Sequence, residues 1–382
     1  MLRACGDTRV RRVSIASPGP AEPPLAPAPL DTIDPATADP AQQERLARWL
    51  EALGETFLQP AEARRRLAAA RFGPAPSVAA LAGLARLAAA GARAVPYGSP
   101  AYPSRLSGLG DAPACLFVRG DVAALSARAV AIVGSRAPTP YGVGVAHALA
   151  ADLARAGLVV VSGLARGIDA AAHRGALEAG GRTVAIQACG PEQVYPRQHR
   201  GLAQEIVRSG AIATEFPPGA PPARLHFPLR NRVISGLAEA LVVVEARERS
   251  GTLSTVAHAL DQGRDVFAVP GPITRETSRG PNRLLRDGAF VLLGAEDVLE
   301  RLGVRIAARG AEPAVAPGRT AGLGAAAARA LGLLASGPLG RDALGRRLAL
   351  PEGELALALV ELELAGLVVE DRDGRLAARA AP

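Results

Sequence analysis

The sequence predicts an α/β fold built on a doubly wound, mostly parallel β-sheet, and two features of residues 129–293 support this. Short apolar runs recur there, and most are continuous, which indicates strands covered on both faces. Segments of helical length alternate with these runs, as strand–helix–strand units require. The expected strands are 129–133, 158–161, 183–188, 211–216, 241–244, 265–269 and 289–293, and the expected helices are 143–156, 169–179, 201–209 and 254–262.

The rest of the chain predicts flanking domains. Residues 1–40 are rich in Pro and Ala and are expected to be disordered, because they cannot bury enough apolar surface to offset the entropy of ordering. Residues 41–95 show the pattern of a small helical module ahead of the sheet domain, 96–307. A Pro/Gly/Ala linker, 308–322, leads to 323–382, where three helical patterns and a hairpin around Asp373-Gly374 are typical of a winged helix.

Composition narrows the partner class. The chain has 382 residues, a net charge of +8 and no lysine, so all 44 basic residues are arginine. A basic balance favours a polyanion such as nucleic acid, although the codon bias of a GC-rich genome explains part of it equally well. Three widely spaced cysteines predict neither a disulfide framework nor a metal site, and fit a reducing cytoplasm. No signal peptide, membrane span or cofactor is expected.

The turn after the first predicted sheet-domain strand suits an anion. Gly134 allows close approach to the backbone, Ser135 can donate a hydrogen bond, and Arg136 offers a planar guanidinium to a phosphate. Only one glycine of the G-x-G-x-x-G dinucleotide fingerprint is present, so NAD is disfavoured.

Three further turns at the same predicted edge share this character. Gly163, Arg166 and Gly167 precede a helix that Asp169 is expected to cap, although the glycines alone also fit a purely structural turn. The stretch 226–232, read as a loop, places Phe227 before two arginines; this suits a single-stranded nucleic acid or, equally, a solvated surface loop. The fourth turn, 249–252, ends in Ser-Gly-Thr ahead of a helix, where free amides bind anions.

Charge is distributed unevenly along the chain. Residues 130–290 contain 18 arginines against 13 carboxylates, whereas residues 323–382 contain seven arginines against eight carboxylates. Phosphate binding depends on basic residues. The near-neutral charge of residues 323–382 therefore favours a protein partner or a regulatory lid over DNA binding, although a winged-helix pattern is typical of DNA-binding domains.

Five motifs in order resemble the bacterial DNA-processing protein A family, DprA or Smf, over residues 95–295. They read AIVGSRAPTPYG, SGLARGIDAAAHRGAL, FPLRNRVISGL, VVVEARERSGTL and GRDVFAVPG. The resemblance implies a Rossmann-like domain beside a SAM-like helical module and a winged helix. It also implies a non-enzymatic, dimeric, single-stranded DNA-binding protein that protects incoming DNA during natural transformation and loads RecA. The DNA-binding residues it implies are Ser135, Arg136, Gly163, Ala165, Arg166, Phe227, Arg230, Asn231, Arg232, Ser250, Gly251 and Thr252.

Two other functions stay open. Nucleoside-monophosphate phosphoribohydrolases resemble this chain in fold and use the motif G-G-x-G-T-x-x-E, but Thr255 occupies the position of the catalytic glutamate. An adaptor protein with a vestigial pocket is the third hypothesis, and it predicts no salt-sensitive affinity for oligonucleotides.

Overall fold

The computed structural model describes residues 32–54, 59–70, 75–304, 323–335, 339–370 and 375–378. The chain separates into two units, Met1–Leu302 and Gly303–Pro382. The predicted linker and most of the predicted disordered tail lie outside the described residues.

A nine-stranded sheet forms the centre of the first unit, in the order β1-β2-β6-β5-β4-β3-β7-β8-β9. Strands β3 to β9 run parallel to one another, whereas β1 and β2 form an antiparallel edge in which β2 pairs with β6, so the predicted mostly parallel sheet is confirmed. The strands are β1 Ala92–Pro96, β2 Cys115–Gly120, β3 Ala129–Val133, β4 Val159–Ser162, β5 Thr183–Ile186, β6 Ala211–Thr214, β7 Ala240–Val243, β8 Asp265–Ala268 and β9 Phe290–Val291.

Continuous apolar runs form the inner strands because helices cover both faces of the sheet. Every residue of β3, β4, β5, β6 and β7 is buried. Ile132 is fully buried, and a side chain of this kind contributes about 1.5–3 kcal/mol on burial. The helices of this unit are α1 Pro40–Leu53, α2 Pro60–Ala69, α3 Val78–Ala89, α4 Ser104–Ser107, α5 Pro140–Arg155, α6 Ile168–Glu178, α7 Arg200–Ser209, α8 His226–Leu237, α9 Thr252–Asp261, α10 Glu276–Arg286 and α11 Ala295–Arg301.

The N-terminal helices pack on the antiparallel edge of the sheet. Trp49 and Leu87 are buried in one apolar cluster with Phe117 of β2. Ile33 belongs to the same cluster and exchanges two backbone hydrogen bonds with Ala94 of β1. Residues 32–40 are therefore ordered, contrary to the expected disorder, because Ile33 pairs with the open edge of β1.

The second unit has the helices and hairpin of a winged helix. Helices α12 Ala325–Ala335, α13 Arg341–Leu348 and α14 Glu352–Leu364 surround an apolar cluster. Strands β10 Leu339–Gly340, β11 Val368–Glu370 and β12 Arg375–Ala378 pair antiparallel in the order β10-β12-β11. The predicted D-G turn between β11 and β12 lies outside the described residues, but the strand pairing that it predicts is confirmed.

Candidate nucleic-acid interface

A pocket opens where the sheet changes winding direction. Strand β3 pairs with β4 on one side and with β7 on the other, so the chain winds away from β3 in one direction and later returns beyond it. Ligands bind outside the carboxyl ends of strands at such a switch point. An open pocket of about 370 Å³ lies there. Nine of the twelve predicted residues line it: Ser135, Arg136, Ala165, Phe227, Arg230, Asn231, Ser250, Gly251 and Thr252.

The turn after β3 is fixed by its backbone. The Ser135 amide donates to the carbonyl of Glu245 at 2.6 Å, and the Ser135 carbonyl accepts from the Ile168 amide at 3.1 Å. A Cβ at Gly134 would lie 2.7 Å from the Ile168 side chain, so only glycine fits. This rigid turn presents Arg136, which is exposed and whose Cζ lies 5.1 Å from the centre of the Phe227 ring. Among the described residues Arg136 has no carboxylate partner.

The Ser-Gly-Thr turn, 250–252, also lines the pocket, next to the turn that carries Arg136. Thr252 Oγ1 donates to the Gly134 carbonyl at 3.1 Å and so ties the two turns together. Ser250 Oγ accepts from the Thr252 amide at 3.2 Å at the start of α9. In the described part of the chain the amides of Ser250 and Gly251 donate to no protein acceptor. Free amides at a helix N-terminus form an anion site, and this one opens into the pocket.

The turn after β4 holds the carboxylate of Asp169, which lines the pocket. The amides of Gly163 and Ala165 donate to Asp169 Oδ2 at 3.1 and 3.2 Å, so neither is free for a phosphate. The expectation that Asp169 caps α6 is wrong, because Gly167 occupies the N-cap position and Asp169 folds back from inside the helix. Burial raises the pKa of Asp169. Arg166 is exposed but does not line the pocket.

The stretch 226–232, predicted as a loop, is the beginning of helix α8. Pro228 does not prevent this, because it lies in the first turn, where its missing N–H is not needed. Successive side chains of a helix point about 100° apart, so the residues of this stretch lie on different faces of α8. Phe227, Arg230 and Asn231 share the face that lines the pocket, whereas Arg232 lies on the other side of the helix.

Arg230 is a structural residue within the pocket wall. It is 4% exposed, and its Nη1 donates to the carbonyls of Gly163, at 2.8 Å, and Ile186. Burial lowers the pKa of its guanidinium to about 10, and the nearby Asp169 opposes that shift. Arg230 therefore joins the carboxyl ends of β4 and β5 while it lines the pocket, and its phosphate contact stays a prediction.

Arg232 is removed from the interface. It is 5% exposed and pairs with buried Glu215, with Asp111 Oδ2 3.6 Å from its Nε. These residues line a separate cavity of about 260 Å³ on the opposite side of α8. The predicted phosphate contact at Arg232 is thus not supported, because its charge is matched by carboxylates within the fold.

The buried pair predicts a pH dependence of stability. Burial raises the pKa of Glu215 from 4.5 to about 7, against the opposing effect of Arg232. Because the folded-state pKa lies above the unfolded value, the folded protein binds the extra proton, and the resulting stability is lost as pH rises through about 7. We expect Glu215→Gln to abolish this loss between about pH 5 and about pH 8. Urea unfolding across that range checks it, and identical pH slopes for both proteins would contradict it.

Two residues outside the expected DNA-binding set also belong to this interface: Arg249, which begins the predicted turn 249–252, and Tyr195, which sequence reasoning missed. Arg249 lines the pocket, is exposed, and has no carboxylate partner in the described ranges. Its signal is its place directly before Ser-Gly-Thr. Tyr195 is 46% exposed, and its ring centre lies 5.6 Å from that of Phe227, which gives two adjacent aromatic side chains. An aromatic in a loop of a chain with only 3% aromatics was the available signal.

The described residues contain neither a cluster of metal ligands nor a membrane-spanning helix. No group of three or more His, Cys, Asp or Glu side chains there could hold a metal ion. None of the described helices combines the length and apolar character needed to cross a membrane.

Comparison with known proteins gives one family for both units. Residues 93–303 match the family model described as DNA recombination-mediator protein A, and residues 313–374 match the DprA winged helix domain. DNA processing protein DprA of Bacillus subtilis is 43% identical over 216 residues, which cover 56% of this chain and 73% of that protein. Protein Smf of Escherichia coli is 44% identical over 209 residues, and they cover 54% of this chain and 56% of that protein.

A solved structure agrees with these sequence matches. DNA processing protein A of Streptococcus pneumoniae superposes with a TM-score of 0.55 at 33% identity, covering 68% of this chain and 92% of that one. The matched segment 93–303 contains the switch-point pocket and every residue that lines it. The chain therefore belongs to the DNA processing protein A family, DprA or Smf, and has a role in DNA processing.

Proposed function

We propose that this protein binds single-stranded DNA in the switch-point pocket. The strongest support is the group of residues at the pocket opening, Arg136, Arg249 and the Ser-Gly-Thr turn, which we call the rim. Arg136 and Arg249 have no carboxylate partner among the described residues, and Arg136 lies over the ring of Phe227 beside the free amides of the Ser-Gly-Thr turn. Guanidinium groups and amides bind phosphates, and aromatic rings stack on bases.

The aromatic pair favours a single strand over a duplex. Phe227 and Tyr195 form a tilted pair near the rim, and Tyr195 is substantially exposed. An unpaired base can stack on such rings, whereas bases within a duplex are already stacked on one another. Backbone contacts through arginine and amides carry no sequence information, so binding should depend little on sequence.

The cellular role proposed here is recombination. The protein would protect incoming single-stranded DNA during natural transformation and load the RecA recombinase onto it, acting as a homodimer in the cytoplasm, where those partners work. The family description as a recombination mediator supports this proposal.

The edge of the sheet at β9, which no described strand covers, supports the homodimer. Strand β9 is the last strand, and Phe290, Val291 and Leu293 are 40%, 52% and 82% exposed. An exposed apolar edge strand is a template for pairing with another chain, and a second copy of this protein is the proposed occupant.

We expect Val291→Glu to convert the dimer to a monomer, because a charge on the edge opposes its pairing with a second copy. Light scattering over a concentration series measures this. Leu260→Glu, at a 60% exposed apolar residue of α9, is the control and should leave the dimer intact. A monomeric wild-type protein, or a dimeric Val291→Glu variant, would contradict the proposed interface.

We propose further that binding involves no catalysis. Thr255 is buried at the position where the phosphoribohydrolase motif has its glutamate. The carboxylate that does line the pocket, Asp169, is held by two backbone amides. A carboxylate needed as a general acid or base has to reach the substrate.

One experiment separates the three functions. Wild-type protein is titrated with a single-stranded oligonucleotide and with the matching duplex in a mobility-shift assay, and the same preparation is incubated with nucleoside monophosphates. Preference for the single strand without release of free base is the expected result. Release of free base would favour the enzyme, and no salt-sensitive binding to either DNA would favour the adaptor.

A further inference from the structure

Helix α10 lies directly against the arginine-rich rim of the pocket. The Ala246 amide donates to the Thr277 carbonyl at 2.8 Å, and the Gly280 amide donates to the Ala246 carbonyl at 2.9 Å. Ala246 immediately precedes the segment 247–249, of which Arg247 and Arg249 line the pocket. The start of α10 is therefore continuous with the rim.

Packing fixes this helix in place despite an unfavourable sequence. A Cβ at Gly280 would lie 2.6 Å from the Ala246 carbonyl oxygen, so glycine alone permits the close approach. Asn282 accepts from the Gly271 amide at 3.1 Å and donates to the Gly271 carbonyl at 2.8 Å. Gly and Pro disfavour a helix interior, and α10 contains both at 280–281. Tertiary contacts thus determine where its exposed side chains project.

Arginines recur on the outer face of α10. Arg275 is the N-cap residue of α10, and Arg279 and Arg283 follow it within the helix at intervals of four residues; all three are exposed. Arg283 pairs with Glu248 and Asp287, but Arg275 and Arg279 have no carboxylate partner among the described residues. Arg275 and Arg279 thus place two positive charges at the N-terminal end of α10, where the helix dipole disfavours cations. A bound anion would offset this unfavourable interaction.

We propose that the phosphates of a single strand leaving the pocket pass over Arg275 and Arg279. This inference rests on the proposed function and extends it, because it gives the strand a path beyond the pocket. Arg279 follows Arg275 by about one helical turn, and a turn rises about 5.4 Å along the helix axis. The start of α10 is hydrogen-bonded to Ala246, next to the arginines that line the pocket, so the strand can continue from Arg249 onto this helix. The two carboxylates along this path, Glu248 and Glu276, are paired with arginines.

The test uses two oligonucleotides, one of about 4 nucleotides that occupies the pocket and one of about 16 nucleotides that reaches α10. Fluorescence anisotropy measures both affinities for the full chain and for the Arg275→Ala/Arg279→Ala variant. The long oligonucleotide should bind about tenfold more weakly to the variant, with a log–log salt slope less steep by about 1.4, two phosphates at about 0.7 each. The short oligonucleotide should bind unchanged.

The control is Arg182→Ala/Arg208→Ala. Arg182 directly precedes β5, and exposed Arg208 lies in the last turn of α7 shortly before β6, so both lie at the amino ends of these parallel strands, opposite the pocket. Equal affinities of wild type and the α10 variant for the long oligonucleotide would overturn the inference, and so would equal losses for both lengths. Failure of the wild type to bind either oligonucleotide would instead overturn the proposed function.

Discussion

Arg136→Ala is expected to weaken binding of a short single-stranded oligonucleotide about tenfold at low salt, with little effect on stability. Arg136 is exposed and lies over Phe227 at the pocket rim, so its removal eliminates a phosphate contact and leaves no buried group unpaired. The log–log salt slope should become less steep by about 0.7, the contribution of one phosphate on a single strand. All sequences should be weakened about equally.

Fluorescence anisotropy over a range of salt concentrations measures both quantities. Arg208→Ala is the matched control, because Arg208 is also exposed but lies in the last turn of α7, at the amino ends of the parallel strands and opposite the pocket. An Arg136→Ala variant with wild-type affinity and slope would show that the rim does not bind the strand. An equal loss in Arg208→Ala would show that net charge alone accounts for binding.

Arg230→Ala is expected to lower the free energy of unfolding by about 3 kcal/mol. The side chain is almost fully buried and donates to the carbonyls that end β4 and β5, and its charge offsets that of buried Asp169. Its removal leaves buried acceptors unpaired and a carboxylate without compensation, which costs about 1–3 kcal/mol for an orphaned polar group and more for a charge.

Urea unfolding followed by circular dichroism measures the loss. Arg166→Ala is the control, since Arg166 is exposed and its loss should change stability by less than about 0.5 kcal/mol. Wild-type stability of Arg230→Ala would contradict the structural role and leave Arg230 as a candidate phosphate contact alone.

The sequence predicts the sheet well because its strands are strongly apolar. Segment 129–133 is read from five consecutive apolar residues, and it coincides with β3. The glycine turns are equally legible, since Gly134 and Gly167 are required by close backbone approaches at the strand ends. Local chemistry decides these features, and it can be read from a few neighbouring residues.

The roles of Arg230 and Arg232 depend on tertiary structure and could not be predicted from neighbouring residues. Arg230 and Arg232 look alike in the sequence, yet α8 directs one into the pocket wall and the other toward Glu215. Proline is typical of loops, so Pro228 favours a loop when the sequence is read alone. The helix is seen only in the folded protein, where α8 packs against the sheet. Likewise, nothing around Ile33 predicts its partner Ala94, because that contact joins distant segments.

The salt dependence of wild-type affinity for a short single-stranded oligonucleotide tests the central claim most directly. Arg136, Arg166 and Arg249 have no carboxylate partner among the described residues and lie in the turns at the carboxyl ends of the strands, so they predict a log–log slope of about −2 at about 0.7 per phosphate. A slope near zero, or tighter binding of the duplex than of the single strand, would contradict a phosphate-binding pocket at the switch point of this sheet.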